Sequence, residues 1–194
     1  MRIGILGGTF NPVHLGHLLL AQGALEEIPL DRVLWIPARV SPHKAVEAEV
    51  SAEDRARMVE LAIEGNLSFR LSRTELSRES PSYTIETIRW LRTESNDPKV
   101  EWFFLIGSDT AGELSSWRQI EELRRLVHFV AVPRPGQPTA ALPDGVRSIP
   151  VKTLDVSSSE IRRRIQQKRS IRYLVPESVR SYIEERKLYR GGAG

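Results

Sequence analysis

The sequence predicts an α/β fold: a single domain whose mainly parallel sheet is flanked by helices. Short apolar runs rich in β-branched and aromatic residues alternate with stretches of helical period, the arrangement of repeated β-α-β units. The 194 residues, 40% of them hydrophobic, suffice to bury one core without cross-links, and the chain has no cysteine with which to make any.

The elements follow in order. A strand over residues 3–6 runs into Gly7-Gly8, and a helix spans 14–27. A strand at 32–37 precedes a helix at 52–64, opened by Ser51 and Asp54 at the spacing of a capping box. Further strands are expected at 69–72, 100–106, 127–132 and 148–152, with helices at 84–93, 119–126, 159–167 and 177–186. Pro176 is expected in the first turn of the last helix, where its missing N–H costs nothing. The Pro- and Gly-bearing stretch 133–138 reads as a loop, because too little chain follows it to build a second core. One domain over 1–190 and a flexible tail at 191–194 are the expected organisation.

Composition narrows the function. A net charge of +3 gives no reason to expect nucleic acid as a partner. The longest apolar runs, 103–106 and 129–132, are far below membrane-span length, and no apolar stretch of signal length follows Met1, so no membrane association is expected. Without cysteine there is neither a disulfide framework nor a thiolate metal site, and a cytoplasmic location is the expectation.

Chemistry concentrates in two segments. Gly7-Gly8-Thr9-Phe10-Asn11-Pro12-Val13-His14-Leu15-Gly16-His17 follows the first strand. Glycines let backbone N–H groups approach an anion, the helix start adds donors and a positive dipole end, and imidazoles at i, i+3 share one side of the first turn. Neither G-x-x-x-x-G-K-[ST] nor G-x-G-x-x-G is present, which removes the two common nucleotide-loop signatures. For the segment alone, a tight turn with partly exposed histidines is the better account. A zinc site lacks third and fourth ligands at recognisable spacing, so no protein-held metal is expected. The second segment is Val156-Ser157-Ser158-Ser159-Glu160-Ile161-Arg162. Ser157 and Glu160 make a capping box. Yet Arg162 to Arg164, placed near a helix start, would oppose the dipole unless an anion shares that end, so phosphate binding is the better account.

Together these segments resemble the nucleotidylyltransferase superfamily, with its HxGH and ISSTxIR-like motifs, here His14-Leu15-Gly16-His17 and Val156 to Arg162. Within it the chain is similar to the bacterial nicotinate-nucleotide adenylyltransferases, through Ser41-Pro42-His43-Lys44, RARMVELA from Arg55, Pro81-Ser82-Tyr83-Thr84, Ile106-Gly107-Ser108-Asp109, Trp117, Arg134-Pro135-Gly136 and LVPESVRSYIEERKLY from Leu174. Asn11 stands where that family usually has aspartate, and Ser159 where it has threonine.

The resemblance implies a Rossmann-like domain that joins ATP and nicotinate mononucleotide into nicotinate adenine dinucleotide and pyrophosphate, by in-line attack without a covalent enzyme intermediate. It implies His14, His17 and Arg162 as catalytic residues. Gly8, Thr9, Phe10, Gly107, Asp109, Ser158 and Ser159 join them in binding ATP. Lys44, Tyr83, Thr84, Trp117, Arg118 and Arg134 are implied to bind the mononucleotide, and Mg²⁺ to be carried mainly by the ATP phosphates. Nicotinamide mononucleotide or phosphopantetheine as acceptor, and a noncatalytic nucleotide sensor, stay open as alternatives. So does a homo-oligomer.

Overall fold

The computed structural model describes residues 1–39, 50–78, 83–133 and 142–191. Six strands form one parallel sheet: β1 (Arg2–Gly8), β2 (Arg32–Pro37), β3 (Phe69–Leu71), β4 (Glu101–Gly107), β5 (His128–Val132) and β6 (Val146–Ser148), in the order β3-β2-β1-β4-β5-β6. The helices are α1 (Leu15–Glu27), α2 (Ala52–Ile63), α3 (Thr84–Ser95), the short α4 (Ser108–Ala111), α5 (Ile120–Leu126), α6 (Ser158–Gln166) and α7 (Glu177–Glu185).

Strand side chains alternate between two buried layers, which is why the strands read as unbroken apolar runs. Val33, Trp35, Phe103, Leu105, Val130 and Val132 pack with α1, α2, α6 and α7. Ile3, Ile5, Ile36, Phe104, Ile106 and Phe129 pack on the opposite face with α3 and α5. Trp35 and Phe129 are essentially without solvent contact, and burial of such rings is worth about 2–3 kcal/mol each.

Because β1 leads outward to β2 and β4 leads outward to β5, the strand order reverses between β1 and β4. In an open parallel sheet that reversal leaves a crevice beyond the carboxyl ends of the two strands. Here those ends are Gly8 and Gly107, so the fold itself places the first glycine segment at the crevice.

Three local expectations are corrected. The last strand is Val146–Ser148 rather than 148–152: the Ile149 N–H still donates to the Ala131 carbonyl at 3.2 Å, but Pro150 has no N–H with which to extend the ladder. Pro176 is the cap preceding α7 instead of its first residue. The stretch after β4, where the sequence predicts no element before residue 119, is wound into α4 and a 3-10 turn at Leu114–Ser116. Ser51 does cap α2, accepting from the Asp54 N–H at 3.0 Å.

Candidate active site

The loop after β1 is pegged by Phe10, whose backbone takes a left-handed φ of 48° and whose ring is 2% exposed. That ring meets His17 edge-on (centroids 5.1 Å) and lies 5.6 Å from Trp35. With the ring inside the core, the backbone of the loop is left facing the crevice.

His14 caps α1 and His17 lies in its first turn, and their rings stack 3.7 Å apart. The His14 N–H donates to His17 Nδ1 at 3.2 Å. In its neutral form the His17 ring therefore carries its proton on Nε2, which suits it to donate to an oxyanion. Gly16 between them has a packing reason: a Cβ there would lie 3.0 Å from Val156 and 3.1 Å from the His14 ring. The start of α1 is less open than the sequence suggests, because the Leu15 N–H already donates to the Leu174 carbonyl at 3.0 Å and those of His17 and Leu18 to the His14 carbonyl.

The second segment meets the first directly. The Ser158 hydroxyl donates to the Pro12 carbonyl (2.8 Å), and Arg162 donates to the Asn11 carbonyl (2.9 Å) while lying 3.5 Å from the Ser159 hydroxyl. Ser157 is the cap, accepting from the Glu160 N–H at 3.1 Å. The dipole argument for the arginines does not hold: α6 begins at Ser158 and is short, so Arg163 and Arg164 fall in its last turn, where cations are favoured. Arg162 belongs to the site because of where its side chain goes.

Around this junction lies a cleft of ≈ 480 Å³. Gly8, Thr9, Phe10, His14, His17, Ser158, Ser159 and Arg162 line it, as do Gly107 at the end of β4, Thr84 and Trp117. Trp117 also belongs to the core, packing edge-on against Phe104 (5.7 Å) and Phe129 (6.2 Å). Three predicted residues are not in the lining. Asp109 is exposed in α4, where Thr110 faces the cleft instead. Tyr83 and Arg118, chain neighbours of Thr84 and Trp117, stack on each other at 4.5 Å, and Arg118 pairs with Glu86 at 3.7 Å. Lys44 and Arg134 lie outside the described residues.

Other residues of the site escaped the sequence reading. Arg55 is 1% exposed and donates to the carbonyls of Thr9 (2.6 Å), Ala38 (2.7 Å) and Arg39 (2.9 Å), clamping the loop to the segment after β2. Burial lowers its pKa from the usual arginine value, opposed by Tyr189, but a guanidinium remains charged. The available signal was an arginine at helical spacing from the apolar Val59 and Ala62. Asn11 accepts at 2.7 Å from the buried hydroxyl of Tyr189. Glu75, also in the lining, accepts from the Thr87 hydroxyl at 2.8 Å, and nothing in its sequence neighbourhood marks it. Among the described residues no group of three or more His, Cys, Asp or Glu is arranged to hold a metal ion.

Imidazole, guanidinium, hydroxyl and loop amide donors gathered at the switch point of a Rossmann-like sheet define a nucleotidyltransferase type of domain. The sequence model of the cytidylyltransferase-like family matches residues 5–164. A probable nicotinate-nucleotide adenylyltransferase of a Synechococcus strain is 46% identical over 97% of this chain and 94% of its own length. One from Geobacillus thermodenitrificans is 46% identical over 97% of this chain and 86% of its own. The chain belongs to the cytidylyltransferase-like family and, within it, to the nicotinate-nucleotide adenylyltransferases, and is an enzyme of the nucleotidyltransferase class. A Plasmodium falciparum nicotinic acid mononucleotide adenylyltransferase, solved with NaAD, shares the fold at a TM-score of 0.79 and 19% identity, over 97% of both chains.

Proposed function

We propose that the chain transfers the adenylyl group of ATP to the phosphate of nicotinate mononucleotide. The observation that carries this reading is the junction of the two motifs, Arg162 and Ser158 of α6 bonded to the carbonyls of Asn11 and Pro12, which puts donors on two sides of one cleft. A mononucleotide phosphate oxygen forms a bond to the α-phosphorus while the bond from that phosphorus to the bridging oxygen of the β-phosphate breaks, and pyrophosphate leaves with the electron pair. The attacking oxygen is already anionic, so no enzyme nucleophile or base is required; alignment and charge stabilisation are.

His17, through Nε2, and Arg162 serve the charge that accumulates on the α-phosphoryl group and the leaving pyrophosphate, with His14 stacked behind His17. The Ser158 proton is committed to Pro12, so this serine holds the loop, and Ser159 is the hydroxyl beside Arg162. The amides of Gly8 to Phe10 line the triphosphate. The donor set suits phosphoryl oxygens, and Mg²⁺ would be held by the ATP phosphates and water, as its preference for few protein ligands allows. Trp117 offers a stacking surface to the pyridine ring, and Thr84, at the start of α3, meets the carboxylate. Asp109, Tyr83, Arg118, Lys44 and Arg134 have no role assigned by this geometry.

One observation favours nicotinamide mononucleotide as a second reading: Glu75 is an acceptor in the same lining, and a carboxamide would use one. Pyrophosphate release with Mg-ATP and each mononucleotide in parallel decides between them. Turnover with the nicotinate nucleotide is expected; strong preference for nicotinamide reverses the assignment, and no turnover with either ends it. His17→Ala should lose roughly 10²–10³ in kcat with the fold intact. Within this reading the partners are ATP and the mononucleotide, and the cytoplasm is its place, in keeping with a chain without cysteine. No helix among the described residues is long and apolar enough to cross a membrane.

A further inference from the structure

The family match ends at residue 164, yet the chain beyond it reaches back to the phosphate loop. Leu174 takes up the first N–H of α1, and Tyr189, 3% exposed, donates its hydroxyl to Asn11 Oδ1 at 2.7 Å, a bond between residues 178 positions apart. The same Asn11 gives its backbone carbonyl to Arg162. One residue of the loop is thus held through its side chain by the C-terminal segment and, through its backbone, fixes the guanidinium of α6. Burial raises the Tyr189 pKa, so the phenol keeps its proton and remains a donor.

That segment is itself anchored on α2. The Tyr182 hydroxyl donates to Asp54 Oδ1 (2.8 Å), Arg186 lies 3.5 Å from the same oxygen, and Ser178 donates to the Leu61 carbonyl (3.0 Å). The neighbour of Asp54 is Arg55, which clamps Thr9. The loop is therefore gripped at Thr9 from α2, at Asn11 from the C-terminal segment and at Pro12 from α6.

We propose that Tyr189 is a positioning residue for the triphosphate site: through Asn11 it sets the loop and Arg162, and so governs ATP affinity and turnover without touching the nucleotide. It rests on the adenylyl-transfer reading. It also gives Asn11 a purpose, since an amide oxygen serves the phenol as an acceptor just as the carboxylate usual at this position would, without a negative charge beside a polyanion.

The test compares Tyr189→Phe with Tyr182→Phe, which removes a hydroxyl bond from the same segment but away from the loop. ATP dissociation constants, KM for each substrate, kcat and thermal midpoints are measured on the full chain. Tyr189→Phe is expected to weaken ATP binding and kcat/KM for ATP roughly tenfold, the cost of one unpaired buried acceptor, while KM for the mononucleotide holds. Tyr182→Phe should lower the thermal midpoint only. Asn11→Ala combined with Tyr189→Phe should be no worse than Asn11→Ala alone. Unchanged ATP binding in Tyr189→Phe, or equal losses toward both substrates, overturns the proposal. Should Tyr189→Phe fail to fold, Asn11→Ala carries the same test: an ATP-selective loss supports it and none refutes it. Failure of the native chain to adenylate any mononucleotide strikes the reading of function, and ATP binding alone still decides the role of Tyr189.

Discussion

Replacing Arg55 by leucine removes one side chain and three hydrogen bonds, to the carbonyls of Thr9, Ala38 and Arg39. Hydrogen bonds to a charged group contribute about 1.5–3 kcal/mol each, and the leucine recovers part of this by sparing the cost of burying a cation. A net loss of about 3–5 kcal/mol follows, which in a domain of this size lowers Tm by roughly 6–20 °C. Thr9 and Phe10 line the cleft, so a loop released at Thr9 should also raise KM for ATP. Arg55→Lys keeps the charge, but a single ammonium cannot span three carbonyls set around a planar fork, and it should restore less than half of the loss. Urea and thermal unfolding, with initial rates at varied ATP, measure both effects. A loss below about 1 kcal/mol in Arg55→Leu, or a lysine variant equal to the native chain, would refute the clamp.

Ser157 and Ser158 separate cap from clamp. Ser157→Ala should cost about 1 kcal/mol of stability with kcat nearly unchanged, and Ser158→Ala should reduce kcat through the freed Pro12 carbonyl; equal profiles would contradict the assignment. Asp54 supplies a pH dependence. Burial opposes its ionisation, but the hydroxyls of Ser51 and Tyr182, with Arg186, outweigh this and hold its pKa below the usual 3.8. A depressed carboxylate contributes stability above the unfolded value and loses it as pH falls through the folded one. The stability gap between the native chain and Asp54→Asn should thus be full at neutral pH and close below about pH 4. A gap of constant size in urea titrations across that range would be incompatible with it.

The four central strands, β1, β2, β4 and β5, were legible because they are largely buried on both faces and read as apolar runs, and the helices because their caps, such as Ser51, are local. Residue 150 shows the limit: the run continues through it, but a ladder needs an N–H that proline lacks. Arg163 and Arg164 show another, since their relation to the dipole depended on where a short helix ended, and α6 ends at Gln166, just past Arg164.

The sequence by itself determined the sheet's run of elements, the glycine loop at the end of the first strand, and the two histidines at a spacing that stacks them, all consequences of periodicity and local geometry. It also singled out, through Ser158 and Arg162, the second segment of the candidate site. Only the tertiary structure decided how these segments meet. The reversal of strand order brings Gly8 and Gly107 to one crevice, and bonds across 146 and 151 residues join Ser158 to Pro12 and Arg162 to Asn11. It alone disclosed Arg55 and Tyr189, whose work is to satisfy carbonyl and amide oxygens contributed by distant parts of the chain. No window of sequence reports such a need, because a buried acceptor acquires it only when folding has removed the water.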